Sequence, residues 1–164
     1  MAHAEKSSGE QQAERLEQVC EEVTRLLRDP GVASRLRAAP GENEWSAMQT
    51  LGHMTEMIPY WLSHCRVLVS ASGELPTLGR APGSPERLAG VAHGASAEPA
   101  ALLTQLQDEV RSAASTIRTL SLAERSKRGV YPGRGEMSVA DVLESFIVGH
   151  AEQHLVQMRA ALGK

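Results

Sequence analysis

A chain of 164 residues with 41% apolar side chains is long enough for one domain with its own core, and its net charge of −3 offers no basic field for nucleic acid. Aromatic residues make up 3% of the chain, so packing falls to Leu, Val, Ala, Met and Ile, a palette suited to helix–helix contacts rather than a sheet sandwich. No stretch approaches the ~20 apolar residues that span a membrane, and the polar start lacks the apolar run of a signal peptide; a soluble, cytoplasmic protein with no membrane partner is expected.

Residues 1–12 read as a disordered tail, and 13–164 as one helical domain. The first helix is expected from about Ala13 to Arg28, with Leu16, Val19, Val23, Leu26 and Leu27 on one stripe, and Asp29-Pro30-Gly31 stops it. A short helical piece follows around Val32 to Arg37. The second helix begins at Ser46, where Ser46 and Gln49 fit a capping box, and runs to about Ser70. It carries two adjacent apolar stripes. One is Leu51, Met54, Ile58, Leu62, Cys65 and Val69; the other is His53, Met57, Tyr60, His64 and Val67. A helix apolar over two stripes is buried against more than one neighbour. Pro59 lies inside it and predicts a kink rather than a break, because the periodicity continues across it.

The stretch 71–97 is rich in Gly, Pro and Ser, with one short helix startable at Ser84-Pro85-Glu86. A third helix is expected from about Glu98 to Leu120, capped by Ser96, with Leu103, Leu106, Val110, Ala113, Ile117 and Leu120 as its seam. A short basic cluster follows, Arg125, Lys127, Arg128 and Arg134, read as a solvated loop, with an anion contact as the sharper alternative. Val130-Tyr131 reads as an isolated extended piece, with no hairpin signal strong enough to add a sheet. The fourth helix starts with Ser138 and Asp141 as a capping box and runs to about Leu162, burying Val139, Val142, Leu143, Phe146, Ile147, His150, His154 and Met158. Cys20 and Cys65 form no CxxC and sit on apolar faces, as buried reduced thiols would.

Three of these residues carry chemistry. His150 and His154 are four apart, which puts two imidazoles on one helix face within reach of one metal ion. A third ligand must come from elsewhere in the fold. His53 lies about 10 Å into the second helix, and the His150/His154 pair lies about 12–18 Å before the end of the fourth, at 1.5 Å per residue. If these two helices are antiparallel the levels coincide; if parallel, they miss by about 8–14 Å. The long 71–97 connection can run the length of a bundle, so it permits the second and third helices to be parallel and the fourth antiparallel to both. The expected fold is therefore an all-α four-helix bundle, up-down-down-up, with a long crossover between helices 2 and 3. His64 shares the face of His53 but lies about 16 Å further along the axis, so it reads as a hydrogen-bonded core or rim residue. His3 falls in the tail and His93 in the long connection, where it could also fold over the site.

Three neutral imidazoles suit zinc, nickel, iron(II) or cobalt and leave open positions. H-x-x-x-H is a short motif, and histidines that never meet, or a non-catalytic metal- or ligand-binding bundle, stand beside the metalloenzyme reading. Around the triad, Gln157 follows His154 by three and shares its face. Glu56 and Tyr60 follow His53 by three and seven and are candidates for general acid/base work or for orienting a ligand.

The segment Trp45-Ser46-Ala47-Met48-Gln49-Thr50-Leu51-Gly52-His53 resembles the start of the second helix in the DinB-like (DinB/YfiT-like) superfamily. Ser138-Val139-Ala140-Asp141-Val142-Leu143, then His150-Ala151-Glu152-Gln153-His154 and Gln157-Met158-Arg159, resembles its last helix. The resemblance implies an up-down-down-up four-helix bundle, a divalent ion on His53, His150 and His154, commonly nickel or zinc, and frequent homodimers. Aromatic surface residues such as Trp45 and Trp61 would suit such a dimer. Members of known activity are thiol-dependent transferases or isomerases using mycothiol or bacillithiol, and some replace one ligand of the last helix with Glu. This chain keeps His at both positions. A small-molecule substrate, S-transfer or hydrolysis as the reaction, and no nucleic-acid partner are the resulting expectations.

Overall fold

The computed structural model describes residues 8–164, so His3 lies outside the described residues. Four long helical stretches carry the fold. They are α1 (Gly9–Arg28), α2 (Ala47–Ser70), α4 (Pro99–Thr119) and the run from α6 (Val139–Val142) to α7 (Gly149–Ala161). Helix α1 packs on α4 and α7, and α2 packs on the same two, which closes the four into a bundle. Between α2 and α4 lies α3 (Pro85–Ser96), packed along α2. A 3-10 turn, Pro30–Arg35, follows α1. A single turn, α5 (Leu122–Arg125), follows α4. Among the described residues no helix is long and apolar enough to cross a membrane.

The local signals act as expected at three starts. Ser46 with Gln49, and Ser138 with Asp141, form reciprocal capping boxes at the heads of α2 and α6. Ser84 caps α3, with Pro85 in its first turn. Helix α1 begins at Gly9 rather than Ala13, because Ser8 and Gln11 make a capping box of their own. Residues 9–12, read as part of a tail, therefore belong to this helix, and Gln12 is buried against Arg125. Helix α2 runs through Pro59 without a break.

The apolar stripes form the core. Leu16, Val19 and Val23 of α1, Leu103, Leu106, Val110, Ala113 and Ile117 of α4, and Leu51, Met54, Ile58, Leu62 and Cys65 of α2 are all buried. The second stripe of α2 is buried at His53 and Met57 but ends in the open at Val67, which is 52% exposed. Helix α2 is nonetheless buried against more than one neighbour, α3, α4 and α7, as the two stripes imply. Cys20 and Cys65 are free and buried, and burial pushes the Cys65 thiol up to about 12.

Four features depart from the sequence reading. First, the chain is mostly helical but not all-α. Strands β1 (Arg128–Tyr131) and β2 (Gly135–Ser138) pair antiparallel across a turn that uses positive φ at Gly133 and Gly135. Each strand is four residues long, too short for alternation to announce it. Leu78 N–H donates to Val130 O at 2.8 Å, and Val130 N–H to Pro76 O at 2.8 Å, so the crossover is stitched to the hairpin.

Second, α4 starts at Pro99 with no side-chain cap. Ser96 is the last residue of α3 and turns its hydroxyl to the His93 carbonyl. Third, the basic cluster is solvated at Lys127, Arg128 and Arg134, but it is not a loop throughout and Arg125 leaves the solvent. Arg125 is 9% exposed and donates to Gln12, Arg128 pairs with Glu136, and Arg134 lies over the Tyr131 and Phe146 rings. Trp61 likewise is no surface aromatic: it is 8% exposed and stacks on Phe146 at 4.2 Å.

Fourth, the last helix widens. Leu143–Val148 is a π-helical segment, and Gly149 N–H donates to Glu144 O, five residues back. Such a segment inserts extra backbone and changes the phase of every later turn of the helix. Arg15 of α1 holds it by donating to Glu144 and to Glu152. Just beyond it stand the two histidines of α7.

Candidate metal centre

His53 enters from α2, one residue after Gly52, and His150 and His154 enter from consecutive turns of α7. One ligand nitrogen from each lies within 4.8 Å of the others. The rings pack edge to face, with centroids 4.8 Å apart for His53 and His154, 5.9 Å for His53 and His150, and 4.4 Å for the α7 pair. His53 and His154 are 3% and 7% exposed, deep enough that an unsatisfied nitrogen is costly.

Two such nitrogens exist: His53 Nδ1 and His154 Nε2 are buried with no hydrogen-bond partner among the described residues. His154 carries the clearer signal. Its Nδ1 lies 2.8 Å from Gln157 Oε1, an oxygen that can only accept, so the proton sits on Nδ1 and the Nε2 lone pair is free. A ligand histidine is commonly oriented by this type of bond through its other nitrogen. Burial also keeps the imidazoles neutral. Desolvation, helped by its histidine neighbours and by Arg87, pulls His53 down to about 3. Desolvation with His150 and Arg87 pulls His154 down to about 4, and desolvation lowers His150 as well. Three neutral imidazoles, two buried nitrogens without a partner and a fixed His154 tautomer fit a divalent cation.

The flanking residues form two groups. On one side Glu56 accepts from both terminal nitrogens of Arg80, one of them at 2.6 Å. The Arg80 guanidinium also lies 3.8 Å over the Tyr60 ring. Glu56 Oε2 is 3.8 Å from His53 Nδ1, near but beyond a hydrogen bond. Desolvation raises the Tyr60 phenol above its usual range.

On the other side the Trp45 ring sits 5.2 Å from the His53 ring and stacks at 6.3 Å on His154. It forms one wall of a pocket of about 470 Å³ that includes His154, Gln157, Arg87, Asn43 and Ala161. His64 stays out of the cluster and lies 3.1 Å from the Tyr60 carbonyl. His93 is exposed on α3 rather than folded over the site.

Sequence reasoning found the three histidines and Gln157 but not Arg80 or Arg87. Both lie in the crossover, where no periodicity marks an inward face. Arg87 did carry a usable signal, since it is the third residue of a helix that Ser84-Pro85 announces.

Residues 10–158 match the family model of the DinB superfamily. The chain belongs to the DinB superfamily. No curated protein matches it. Among solved structures, this DinB chain is similar to YfiT from Bacillus subtilis, with a TM-score of 0.73 at 17% sequence identity, covering 98% of this chain and 91% of that one. YfiT is described as a probable metal-dependent hydrolase with an unusual four-helix bundle topology. At this identity the likeness establishes a shared fold.

Proposed function

We propose that this chain is a metal-dependent enzyme that acts on a small molecule, by hydrolysis or by transfer of a low-molecular-weight thiol to an electrophile. The observation that carries the reading is the buried, unpartnered Nε2 of His154 beside His53 and His150, with its tautomer set by Gln157. His53, His150 and His154 would hold the ion; neutral imidazoles suit borderline divalent cations in general, and the family resemblance puts nickel or zinc before iron or cobalt. When bound, such an ion supplies Lewis acidity for a nucleophile or an electrophile in its open positions. The description of YfiT as a probable metal-dependent hydrolase supports hydrolysis. The resemblance to a superfamily whose members of known activity are thiol-dependent transferases or isomerases supports thiol transfer.

The chain's own residues divide the remaining work. Gln157 orients His154. Glu56, paired with Arg80 and 3.8 Å from His53 Nδ1, is the better placed acid/base candidate. Tyr60 is the second, with its phenol kept protonated by desolvation. Trp45 shields one side of the cluster from water.

This geometry supports an up-down-down-up course. His53 is six residues into α2 and His154 seven before the end of α7, which puts them at matching levels, about 9 and 11 Å from those helix ends, when α2 and α7 run antiparallel. Two buried free thiols support a reducing, cytoplasmic location. We also propose a homodimer, for which exposed Val67 and Val156 offer apolar surface; analytical ultracentrifugation should return twice 17.6 kDa.

Metal analysis on untagged protein tests the centre. About one equivalent should be present after repletion and lost in His53→Ala and in His154→Ala. Protein that stays metal-free after repletion overturns it. A panel of esters, amides and thiol–electrophile pairs then separates hydrolysis from transfer by the metal-dependent product formed.

A further inference from the structure

The pocket of about 470 Å³ beside the metal centre has chemistry that the histidines do not explain. Its inner wall is His154 and Gln157, and its side wall is Trp45. Arg87 reaches in from α3 and holds its guanidinium 5.0 Å from the centre of the Trp45 ring. A cation–π contact with an indole holds the guanidinium over the ring and leaves N–H donors to be used. One of them, Nη1, donates to the Pro82 carbonyl at 2.8 Å. Among the described residues no carboxylate pairs with Arg87, in contrast to Arg80, Arg118 and Arg128, which pair with Glu56, Glu10 and Glu136.

Two further facts bear on the charge of the pocket. Arg87 acts electrostatically on all three imidazoles, so it stands close to the centre. The acid on the lining, Glu44, is exposed, and a Cβ at Gly41 would meet its Oε2 at 3.0 Å, so that carboxylate turns back on its own loop. A positive guanidinium without a counter-charge, set beside a neutral histidine cluster, is a receptor for an anion. The lining offers one Lys or Arg, with apolar Pro40, Ala160 and Ala161 nearby, which balances the single charge of a carboxylate but only half that of a phosphate dianion.

We propose that Arg87 is the specificity-determining residue of this pocket: it binds a carboxylate of the substrate, while the substrate's reactive end reaches the histidine centre past Trp45. The inference rests on the metal-centre reading for its second half. The carboxylate half stands on Arg87, Trp45 and the pocket.

Calorimetric titration of zinc-loaded protein with 3-mercaptopropionate and with its methyl ester tests both halves, because the two probes share a thiol and differ in charge. The acid should bind at least about tenfold more tightly than the ester, as a charge-assisted hydrogen bond of this type supplies. Arg87→Met should erase that ratio while ester affinity and zinc stoichiometry stay unchanged, and Arg87→Lys should restore part of it. Equal affinities in the parent protein, or a ratio that survives Arg87→Met, overturn the proposal.

Zinc content is measured on every sample, so failure of the metal centre is seen separately. In zinc-stripped protein, benzoate should shift the indole N–H resonance of Trp45 saturably, leave that of Trp61 in place, and lose its effect in Arg87→Met. A Trp45 resonance that does not respond, or tighter binding of phenyl phosphate than of benzoate, overturns the carboxylate assignment without touching the metal reading.

Discussion

Gly94→Ala is the sharpest test of how the site is held together. Helices α2 and α3 meet through glycines: Gly52 on one faces Gly90 and Gly94 on the other. A Cβ at Gly94 would lie 2.9 Å from Gly52 Cα and 3.0 Å from Gly52 N, and closer still to the Met48 carbonyl oxygen. These are backbone atoms, so no side chain can swing away. Ordinary contact begins at 3.4 Å, which leaves a shortfall of at least 0.5 Å (3.4 − 2.9) that α3 must take up by moving off α2. Overpacking of this kind costs about 1–3 kcal/mol. The gain from replacing helical Gly by Ala is about 1 kcal/mol. The balance is a net loss of up to about 2 kcal/mol, or a fall in Tm of up to about 8 °C for a chain of this size. Because α3 carries Arg87, carboxylate selectivity should fall along with stability. Gly83→Ala is the control, since nothing lies within 4 Å of a Cβ there and its φ is not positive; it should leave Tm level or slightly raised. The assay is a thermal melt followed by circular dichroism on all three proteins. If Gly94→Ala melts as high as Gly83→Ala, the glycine contact does not set the α2–α3 distance and the reasoning fails.

Three other outcomes can be checked on the same protein. Gln157→Leu should weaken zinc or nickel affinity about 10–100-fold by releasing the His154 tautomer, read by competition with a chromophoric chelator; unchanged affinity would remove Gln157 from the centre. Metal-free protein should lose stability as pH falls below 6.5, because unfolded histidines take up protons that His53 and His154, held down to about 3 and about 4, refuse. At pH 5.5 the loss is about 1.4 kcal/mol for each such histidine, absent above pH 7.5, and urea melts of parent and His53→Gln/His154→Gln proteins should diverge in their pH slopes. Gly149→Ala places a Cβ 2.7 Å from the Glu144 carbonyl oxygen that closes the π segment. It should force that segment to rewind and turn His150 and His154 out of phase with His53, so metal is lost while helicity by circular dichroism is kept.

How far each residue could be read from the sequence depends on what determines its position. His53, His150, His154 and Gln157 lie on long helices, where a fixed rise and turn convert spacing into geometry. The capping boxes at Ser46 and Ser138 work at a range of three residues and need no knowledge of the rest of the fold. The parts that stayed hidden depend on contacts between distant segments. The hairpin is stabilised by Pro76 and Leu78 of the crossover as well as by its own pairing. The π segment leaves no periodic trace: it accommodates Gly149, where a Cβ would meet the Glu144 carbonyl, and it is tied to Arg15 across the bundle.

The crossover shows the same division inside one segment. Ser84-Pro85 fixes where α3 starts, but the glycines fix where it lies. Gly52, Gly90 and Gly94 let α3 approach α2 at backbone contact, and that approach brings Arg87 over Trp45 and Arg80 onto Glu56. The long connection therefore does more than carry the chain along the bundle. It supplies two cations that flank a neutral histidine cluster, one neutralised by Glu56 and one without a carboxylate partner among the described residues. Arg87 is half-buried and its one protein acceptor is the neutral Pro82 carbonyl, so its charge is left without a counter-charge in the pocket. A ligand that brings its own carboxylate would supply that counter-charge on binding, and a neutral analogue would not.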